Sequence, residues 1–138
     1  MALTSAFTSI NLPVNNVEQS KAFFTGLGFE LNPQFPDNET SAAIVIGDNL
    51  QVMLIHDAFF NTLTEKESVD TSKYAQMTIA LAFESRGKVD EIVNTAVSSG
   101  GKLHAEPEYH GSMYHWGFVD LDGHLWAINC MNADAAQG

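Results

Sequence analysis

Apolar and polar residues alternate, or apolar residues run together, in a series of short stretches whose length and pattern predict β-strands. Two of these stretches, residues 9–16 and 78–85, each precede a helical pattern and then three further strand-like stretches. The further stretches are 29–35, 41–47 and 50–56 in the first half, and 102–108, 113–120 and 124–130 in the second. The pattern predicts strand–helix–strand–strand–strand, twice.

The second helical pattern is the clearer one, because its apolar residues recur at the spacing of a single helix face. That stripe consists of Val89, Ile92, Val93, Ala96 and Val97. Ser85 is suited to cap the start of this helix, and the Gly100-Gly101 pair can supply the left-handed residue at its end. A helix is therefore predicted between Ser85 and Gly100.

The two halves repeat one supersecondary unit. Apolar residues at positions 10, 12 and 14 align with those at 79, 81 and 83, in the same setting before a helix. In the first half the helix is predicted to begin after Asn16 and to end at Gly28. Its inward-facing residues are Val17, Phe23, Phe24 and Leu27. A half-length module with an exposed sheet face is not expected to stand alone, so modules at 5–56 and 74–132 should pack into one α+β domain over residues 1–138.

The connection between the modules, residues 57–73, is longer than usual and carries the apolar pair Phe59-Phe60. Connections of this length are often lids or contact loops. The alternative is an ordinary surface loop whose phenylalanines cover the edge of the core. Phe59 and Phe60 are the residues that we expect to act in a lid or in dimer contacts.

Composition narrows the classes of partner. The formal net charge is −11, with six Lys and Arg against seventeen Asp and Glu, which disfavours nucleic acid and anionic membranes as partners. No run of about 18 apolar residues predicts a membrane span. The single cysteine, Cys130, excludes an intrachain disulfide and is expected to be a small buried apolar residue. Since no signal peptide is evident either, we expect a cytoplasmic protein.

Two segments identify a family resemblance. The segments "INLPVNNVEQSKAFFTGLGFEL" and "FVDLDGHLWAINCM", with the repeated β-α-β-β-β order, resemble the vicinal oxygen chelate superfamily of glyoxalases, bleomycin resistance proteins and extradiol dioxygenases. The resemblance covers nearly the whole chain and is strongest to uncharacterised glyoxalase-like members. It implies an α+β fold in which two βαβββ modules form a half-open mixed β-barrel around a small-molecule cavity. It also implies a homodimer.

The resemblance also indicates where a metal would bind. Metal-dependent members take up to four ligands, one from the first and one from the last strand of each module. The matching positions here are Ser9, Met53 or Leu54 depending on register, Thr78 and Ala127. A divalent metal in this fold needs imidazole or carboxylate ligands, and these side chains provide neither. We therefore expect no metal at that position and no cofactor.

Strand parity, taken with the resemblance, predicts which side chains line the cavity, because alternate residues of a strand share a face. The predicted ligand-binding residues are Ser9, Asn11, Gln51, Met53, Gln76, Thr78, Met113, Ala127 and Asn129. His115 is the candidate general base or polar anchor on this face, since imidazole titrates near neutral pH. The alternative is a structural histidine on a half-buried strand.

A second group of polar residues lies on the sixth predicted strand. His104, Glu106 and Glu108 alternate on one face, and His110 follows just beyond. This spacing could gather a metal ion away from the family's usual position, provided that the side chains converge. A polar edge strand that faces water explains the same pattern.

The segment between residues 118 and 131 is predicted to be a hairpin. Asp122-Gly123 suits a tight turn, Asp120 can bind the turn backbone, and His124 would begin the next strand from the solvent side. The function that we predict is small-molecule binding without the usual divalent metal. The alternatives are a lyase, isomerase or dioxygenase-type enzyme that uses His115 or a metal held elsewhere, and a dimeric scaffold whose cavity is vestigial.

Overall fold

The computed structural model describes residues 2–67 and 69–131. The chain divides into two compact units, Met1–Val69 and Asp70–Gly138, so the boundary falls inside the predicted connection at 57–73. Each unit contains one open, mixed sheet with helices. The predicted α+β class is therefore confirmed. The predicted end of the second module, residue 132, lies outside the described residues.

The first unit contains the predicted strand–helix–strand–strand–strand order. Its elements are β1 (Thr8–Val14), α1 (Val17–Leu27), β2 (Glu30–Leu31), β3 (Ser41–Gly47), β4 (Leu50–His56) and α2 (Asp57–Thr64). The sheet order is β1-β4-β3-β2, with β1 parallel to β4. Asn16 caps α1 by accepting a hydrogen bond from the Gln19 N–H at 2.9 Å, and Gly28 ends it with a φ of 114°.

The second unit repeats this arrangement. Its elements are β5 (Thr78–Phe83), α3 (Arg86–Ser98), β6 (Lys102–Leu103), β7 (Glu108–His110), β8 (Met113–Val119) and β9 (Leu125–Cys130). The sheet order is β5-β9-β8-β6, β7 also pairs with β8, and β5 is parallel to β9. Ser85 caps α3 by accepting from the Lys88 N–H at 3.1 Å, and Gly100 follows the helix with a φ of 109°, as predicted.

Each sheet has one face covered by its helix. In the second unit the covered face carries Tyr114, Phe118, Trp126, Ile128 and Cys130, all buried. The Tyr114 hydroxyl donates to Asp90 of α3 at 2.6 Å. Burial is the main cause that raises the pKa of Tyr114 above its ordinary value, and the hydrogen bond to Asp90 is the second cause. Cys130 is fully buried, as expected for a small apolar side chain.

The connection predicted at 57–73 is in part helical, because α2 occupies Asp57–Thr64. The helix is short and follows directly on β4, with His56 at its N-cap, so no loop residue separates the two elements. Phe59 is 43% exposed and Phe60 is half-buried. A role for the pair in a lid or in dimer contacts stays a prediction.

The strand predicted at 102–108 is wrong as one continuous element. The structure forms β6 and β7 instead, with residues 104–107 outside both. Both short strands pair with the same edge of β8. Strand parity therefore does not hold across 102–108, and His104, Glu106 and Glu108 do not share the face of one strand.

Candidate functional site

A row of hydrogen-bonded polar side chains crosses the sheet of the first unit. The Asn32 Nδ2 group donates to Gln51 Oε1 at 3.0 Å. The Gln51 Nε2 group donates to Ser9 Oγ at 3.1 Å, and Ser9 Oγ donates to Asn11 Oδ1 at 2.9 Å. The sheet places Ser9 opposite Gln51 across the β1–β4 pair. Three predicted binding residues thus lie in one connected row.

The buried member of this polar row fixes the geometry of the others. Gln51 is 1% exposed, and a buried amide is costly unless both of its ends are hydrogen-bonded. Both ends are satisfied here, which holds the side chain in one orientation. Ser9 and Asn11 are exposed. The row therefore presents an oriented hydroxyl and an amide on the open face of the sheet.

The register also decides between the two candidate positions on β4. Met53 pairs with Asn11 and is half-buried on the same face as the polar row. Leu54 pairs with Leu12, and both are buried in the core. Met53 is therefore the residue of β4 that shares a face with Ser9.

In the second unit, two neighbouring rows across the sheet differ sharply in chemistry. One row joins Ala80, Ala127 and Gly117, which have almost no side chain. The next row joins Ala82, Asn129, His115 and Glu108. The polar side chains of this face therefore lie one row beyond Ala127, about 7 Å along the strands.

His115 is held by a hydrogen bond to Asn129 and by a ring contact with His110. Its Nδ1 atom lies 2.8 Å from Asn129 Oδ1. Because an amide oxygen only accepts, the neutral imidazole carries its proton on Nδ1, and Nε2 is left as an acceptor. The His110 ring lies edge-on at 4.9 Å between centroids, and His110 Nε2 is 3.0 Å from Glu108 Oε2. Asn129 and His115 were both predicted, and the structure brings them into contact.

A cavity of about 290 Å³ opens where residues 104–107 leave the edge of β8. We call it the edge pocket; its lining residues are His104, Ala105, Glu106, Glu108, His110, His115, Trp116 and Gly117. The Trp116 Nε1–H group donates to the Ala105 carbonyl at 2.8 Å and so ties the outer segment to β8. The lining combines imidazoles, carboxylates and one indole.

Three predicted residues lie away from these contacts. Thr78 is exposed at the start of β5 and pairs with Leu125. Met113 is half-buried at the start of β8, opposite His110. Gln76 is exposed and lies two residues before β5, so the parity argument does not reach it.

The hairpin at 120–124 is built around a buried carboxylate. Asp120 Oδ1 accepts from the N–H groups of Asp122 at 2.9 Å and His124 at 3.0 Å, as predicted, and Oδ2 accepts from Trp126 Nε1 at 2.9 Å. Burial is the main reason that the pKa of Asp120 lies above its usual range. Gly123 turns the chain with a φ of 90°. These contacts stabilise the turn.

Most of the chain matches a single protein-family profile. Residues 6–128 match the sequence profile of the Glyoxalase/Bleomycin resistance protein/Dioxygenase superfamily. The chain belongs to this superfamily. The predicted resemblance to vicinal oxygen chelate proteins is therefore confirmed.

Solved structures support the fold of this glyoxalase-superfamily chain. A hypothetical protein, SA1046 from S. aureus, is 29% identical with a TM-score of 0.77, over 94% of this chain and 95% of that one. A glyoxalase/bleomycin resistance protein/dioxygenase family enzyme from Burkholderia phytofirmans PsJN is 14% identical with a TM-score of 0.77, over 92% and 99%. The fosfomycin resistance protein FosX from Listeria monocytogenes is 18% identical with a TM-score of 0.66, over 93% and 94%. None of the curated proteins matches the sequence significantly.

The superfamily's metal does not fit the side chains at its usual positions. Those positions hold the hydroxyls of Ser9 and Thr78, the thioether of Met53 and the methyl group of Ala127. Hard or borderline divalent metals need imidazole or carboxylate donors there, and none is supplied. Along 2–67 and 69–131, no group of three or more His, Cys, Asp or Glu side chains has an arrangement that could hold a metal ion. Within the same ranges, no helix is long and apolar enough to cross a membrane.

Two parts of the site are not predicted by the sequence pattern. Asn32 follows β2 directly and orients Gln51, yet only the register of the folded sheet brings it near β4. The edge pocket depends on how β6 and β7 pair with β8, which is also a long-range property. Pro107 was the one local signal that the strand is interrupted.

Proposed function

We propose that this glyoxalase-superfamily protein binds a neutral, polar small molecule through hydrogen bonds, without the divalent metal of its metal-dependent relatives. One observation carries the proposal: Ser9, at a usual ligand position, belongs to the hydrogen-bonded row Asn32–Gln51–Ser9–Asn11. Hydrogen-bonding groups thus occupy a place where relatives present a metal ligand.

The polar row is suited to binding because its side chains are already ordered before a ligand arrives. Gln51 is ordered by two hydrogen bonds and by burial, so Ser9 and Asn11 are held in place in the free protein. Preorganised donors and acceptors lose less entropy on binding than mobile ones. The Asn11 amide, exposed at the end of the row, is the group that we expect to contact the ligand. Met53, beside it, supplies an adaptable apolar contact.

A second candidate function is acid–base catalysis at His115, as in a lyase or isomerase. The contact between His115 Nδ1 and Asn129 Oδ1 favours it, because it fixes the tautomer and leaves Nε2 able to accept a proton. In that case His115→Gln would abolish turnover while ligand binding persisted. Loss of binding in this variant would instead assign His115 as a polar anchor.

Three further expectations belong to the same proposal. Residues 1–138 act as one domain, and two copies form a homodimer with contacts from Phe59 and Phe60 of α2. Phe59 is 43% exposed, which suits a contact residue. We place the protein in the cytoplasm, since the one cysteine needs no oxidising compartment.

The test is ligand capture followed by native mass spectrometry of the full chain. Small molecules retained by the wild type are measured against Asn11→Ala and against the control Asn94→Ala, an exposed asparagine on α3. We expect Asn11→Ala to weaken binding by at least about tenfold and Asn94→Ala to leave it unchanged. Stoichiometric divalent metal in the purified protein, with ligand binding lost on chelation, would overturn the metal-free proposal.

A further inference from the structure

The edge pocket forms where the outer segment of the chain leaves β8. Four residues, 104–107, separate β6 from β7, whereas on β8 only Trp116 and Gly117 separate the residues that pair with these two strands. The extra length lets the outer segment bulge away from β8 and enclose a cavity of about 290 Å³. A cavity of this size admits a small molecule.

His115 turns one ring nitrogen toward this pocket. Its Nδ1 atom is bound to Asn129 on β9, at 2.8 Å. The two nitrogens of an imidazole point to nearly opposite sides of the ring, so Nε2 points away from β9 and toward the side of β8 where β7 pairs. Glu108 of β7 pairs with His115 on that side, and both residues line the pocket. Among residues 2–67 and 69–131, no hydrogen bond joins Nε2 to another residue, which leaves it as an acceptor for a ligand.

The pocket offers acceptors and negative charge, while two of its donors are already used. The Trp116 Nε1–H group is bound to the Ala105 carbonyl at 2.8 Å. His110 Nε2 lies 3.0 Å from Glu108 Oε2, and because a carboxylate only accepts, His110 is the donor there. Glu106 and Glu108 each add a negative charge, and none of the described lining residues is a lysine or an arginine. A matching ligand therefore brings hydrogen-bond donors and positive charge.

An organic cation fits these features better than a metal ion does. Within residues 2–67 and 69–131, no three His, Cys, Asp or Glu side chains form a group that could hold a metal. An ammonium or amidinium group does not need ligands that converge on one point, because its N–H bonds spread in several directions. The Trp116 indole adds aromatic surface to the lining, and aromatic rings attract cations. The net charge of −11 also attracts cations to the protein as a whole.

We propose that the edge pocket binds a small organic cation that carries N–H donors, either a primary ammonium or an amidinium. The cation donates a hydrogen bond to His115 Nε2 and pairs with the carboxylates of Glu106 and Glu108. The site uses none of the residues of the polar row, so it goes beyond the binding of a neutral molecule proposed above. If His115 acts as a base, the site also gives the substrate class of that second candidate function.

The first test uses the unaltered protein and three probes of similar size. Uniformly ¹⁵N-labelled full chain is titrated at about pH 7.5, above the ordinary histidine pKa, and the ring nitrogens are followed in long-range ¹H–¹⁵N spectra. We expect benzylamine, which is protonated at this pH, to shift the His115 Nε2 signal saturably at millimolar concentrations. Benzyltrimethylammonium keeps the charge but lacks the N–H donor, and benzyl alcohol keeps a donor but lacks the charge. Each should therefore bind at least about tenfold more weakly.

The second test removes the negative charge of the pocket and keeps its shape. In the double variant Glu106→Gln, Glu108→Gln, each amide is nearly the size of the carboxylate it replaces, and its oxygen can still accept from His110. The matched control is Glu39→Gln with Glu67→Gln, which removes the same charge from exposed residues outside the pocket lining. We expect the pocket variant to bind benzylamine at least about tenfold more weakly than the control does. The control should bind within about twofold of the wild type, because exposed distant charges are screened.

Each experiment can overturn the proposal. If benzylamine produces no saturable shift at His115 Nε2, the pocket does not bind such cations. Equal binding of benzyl alcohol or of benzyltrimethylammonium would show that a charged donor is not what the pocket recognises, and equal affinity of the pocket variant and its control would exclude Glu106 and Glu108 from the site. The series on the wild type decides the matter even if the pocket variant fails to fold. None of these measurements involves Asn11 or turnover, so they are independent of the tests of the proposed function.

Discussion

Asp120 offers the sharpest test of how the hairpin is stabilised. Its carboxylate accepts three hydrogen bonds, from the N–H groups of Asp122 and His124 and from Trp126 Nε1 at 2.9 Å. In Asp120→Asn, one carboxylate oxygen becomes an NH₂ group. If the remaining oxygen keeps the two turn contacts, the NH₂ faces the buried indole N–H, donor against donor. Leaving that donor unsatisfied costs about 1–3 kcal/mol of unfolding free energy.

A second effect of the same substitution opposes the first. Burial raises the pKa of Asp120, so ionising it in the folded state is unfavourable, and Asn removes that cost. For an acid whose folded pKa is raised, the folded state binds the proton more tightly, and stability falls as the pH rises from the ordinary value of 3.8 through the folded pKa. The difference in unfolding free energy between the wild type and Asp120→Asn should therefore favour the wild type more at low pH than at pH 7.

The assay is urea unfolding followed by tryptophan fluorescence, at pH 7 and at several values down to about pH 4, the region where carboxyl groups titrate. Glu39→Gln is the control, because Glu39 is exposed and should change the unfolding free energy by less than about 0.5 kcal/mol. If Asp120→Asn is as stable as this control at all pH values, the indole contact does not have the proposed role. If the stability difference in favour of the wild type grows with pH, the pKa of Asp120 is not raised in the folded state.

Two other predictions concern the sheet of the second unit. A Cβ atom at Gly117 would lie 2.5 Å from the Trp126 carbonyl oxygen, so Gly117→Ala should lower the free energy of unfolding by about 1–3 kcal/mol. A Cβ atom at Gly26 in α1 would meet nothing within 4 Å, so Gly26→Ala should raise the free energy of unfolding by about 0.5–1 kcal/mol. Thermal unfolding compares the two, and equal melting temperatures would contradict the close approach. Tyr114→Phe should lose about 1 kcal/mol with its hydrogen bond to Asp90, and Asp90→Ala in the same background should then cost nothing further from that contact.

The sequence was sufficient wherever structure follows from local periodicity. Side chains alternate across a strand with a period of two, so placing Asn129 and His115 on one face required only the correct strands. Their contact at 2.8 Å follows from adjacent strands whose register is set by a short hairpin. The cap at Ser85 was likewise readable, because a serine before an amphipathic stripe has few other roles.

The parts that could not be read depend on pairing between distant segments. Residues 102–108 have the composition of one strand, and only their pairing with β8 shows that two residues are in excess. Helix α2 was missed for a different reason: eight residues carry too little periodic signal to separate a helix from an apolar loop. Asn32 is separated from Gln51 by a whole hairpin, and no local pattern joins the two.

In the second unit, the polar side chains of the open face lie one row away from Ala127. Ala127 lies between Ala80 and Gly117, so its row contains no side chain that could bind a metal or transfer a proton. The neighbouring row holds Asn129 and His115 in contact, and beyond it the same edge of β8 leads into the edge pocket. The face beside Ala127 therefore presents hydrogen-bonding groups, and under the proposed function His115 is the residue best placed to exchange a proton with a bound molecule.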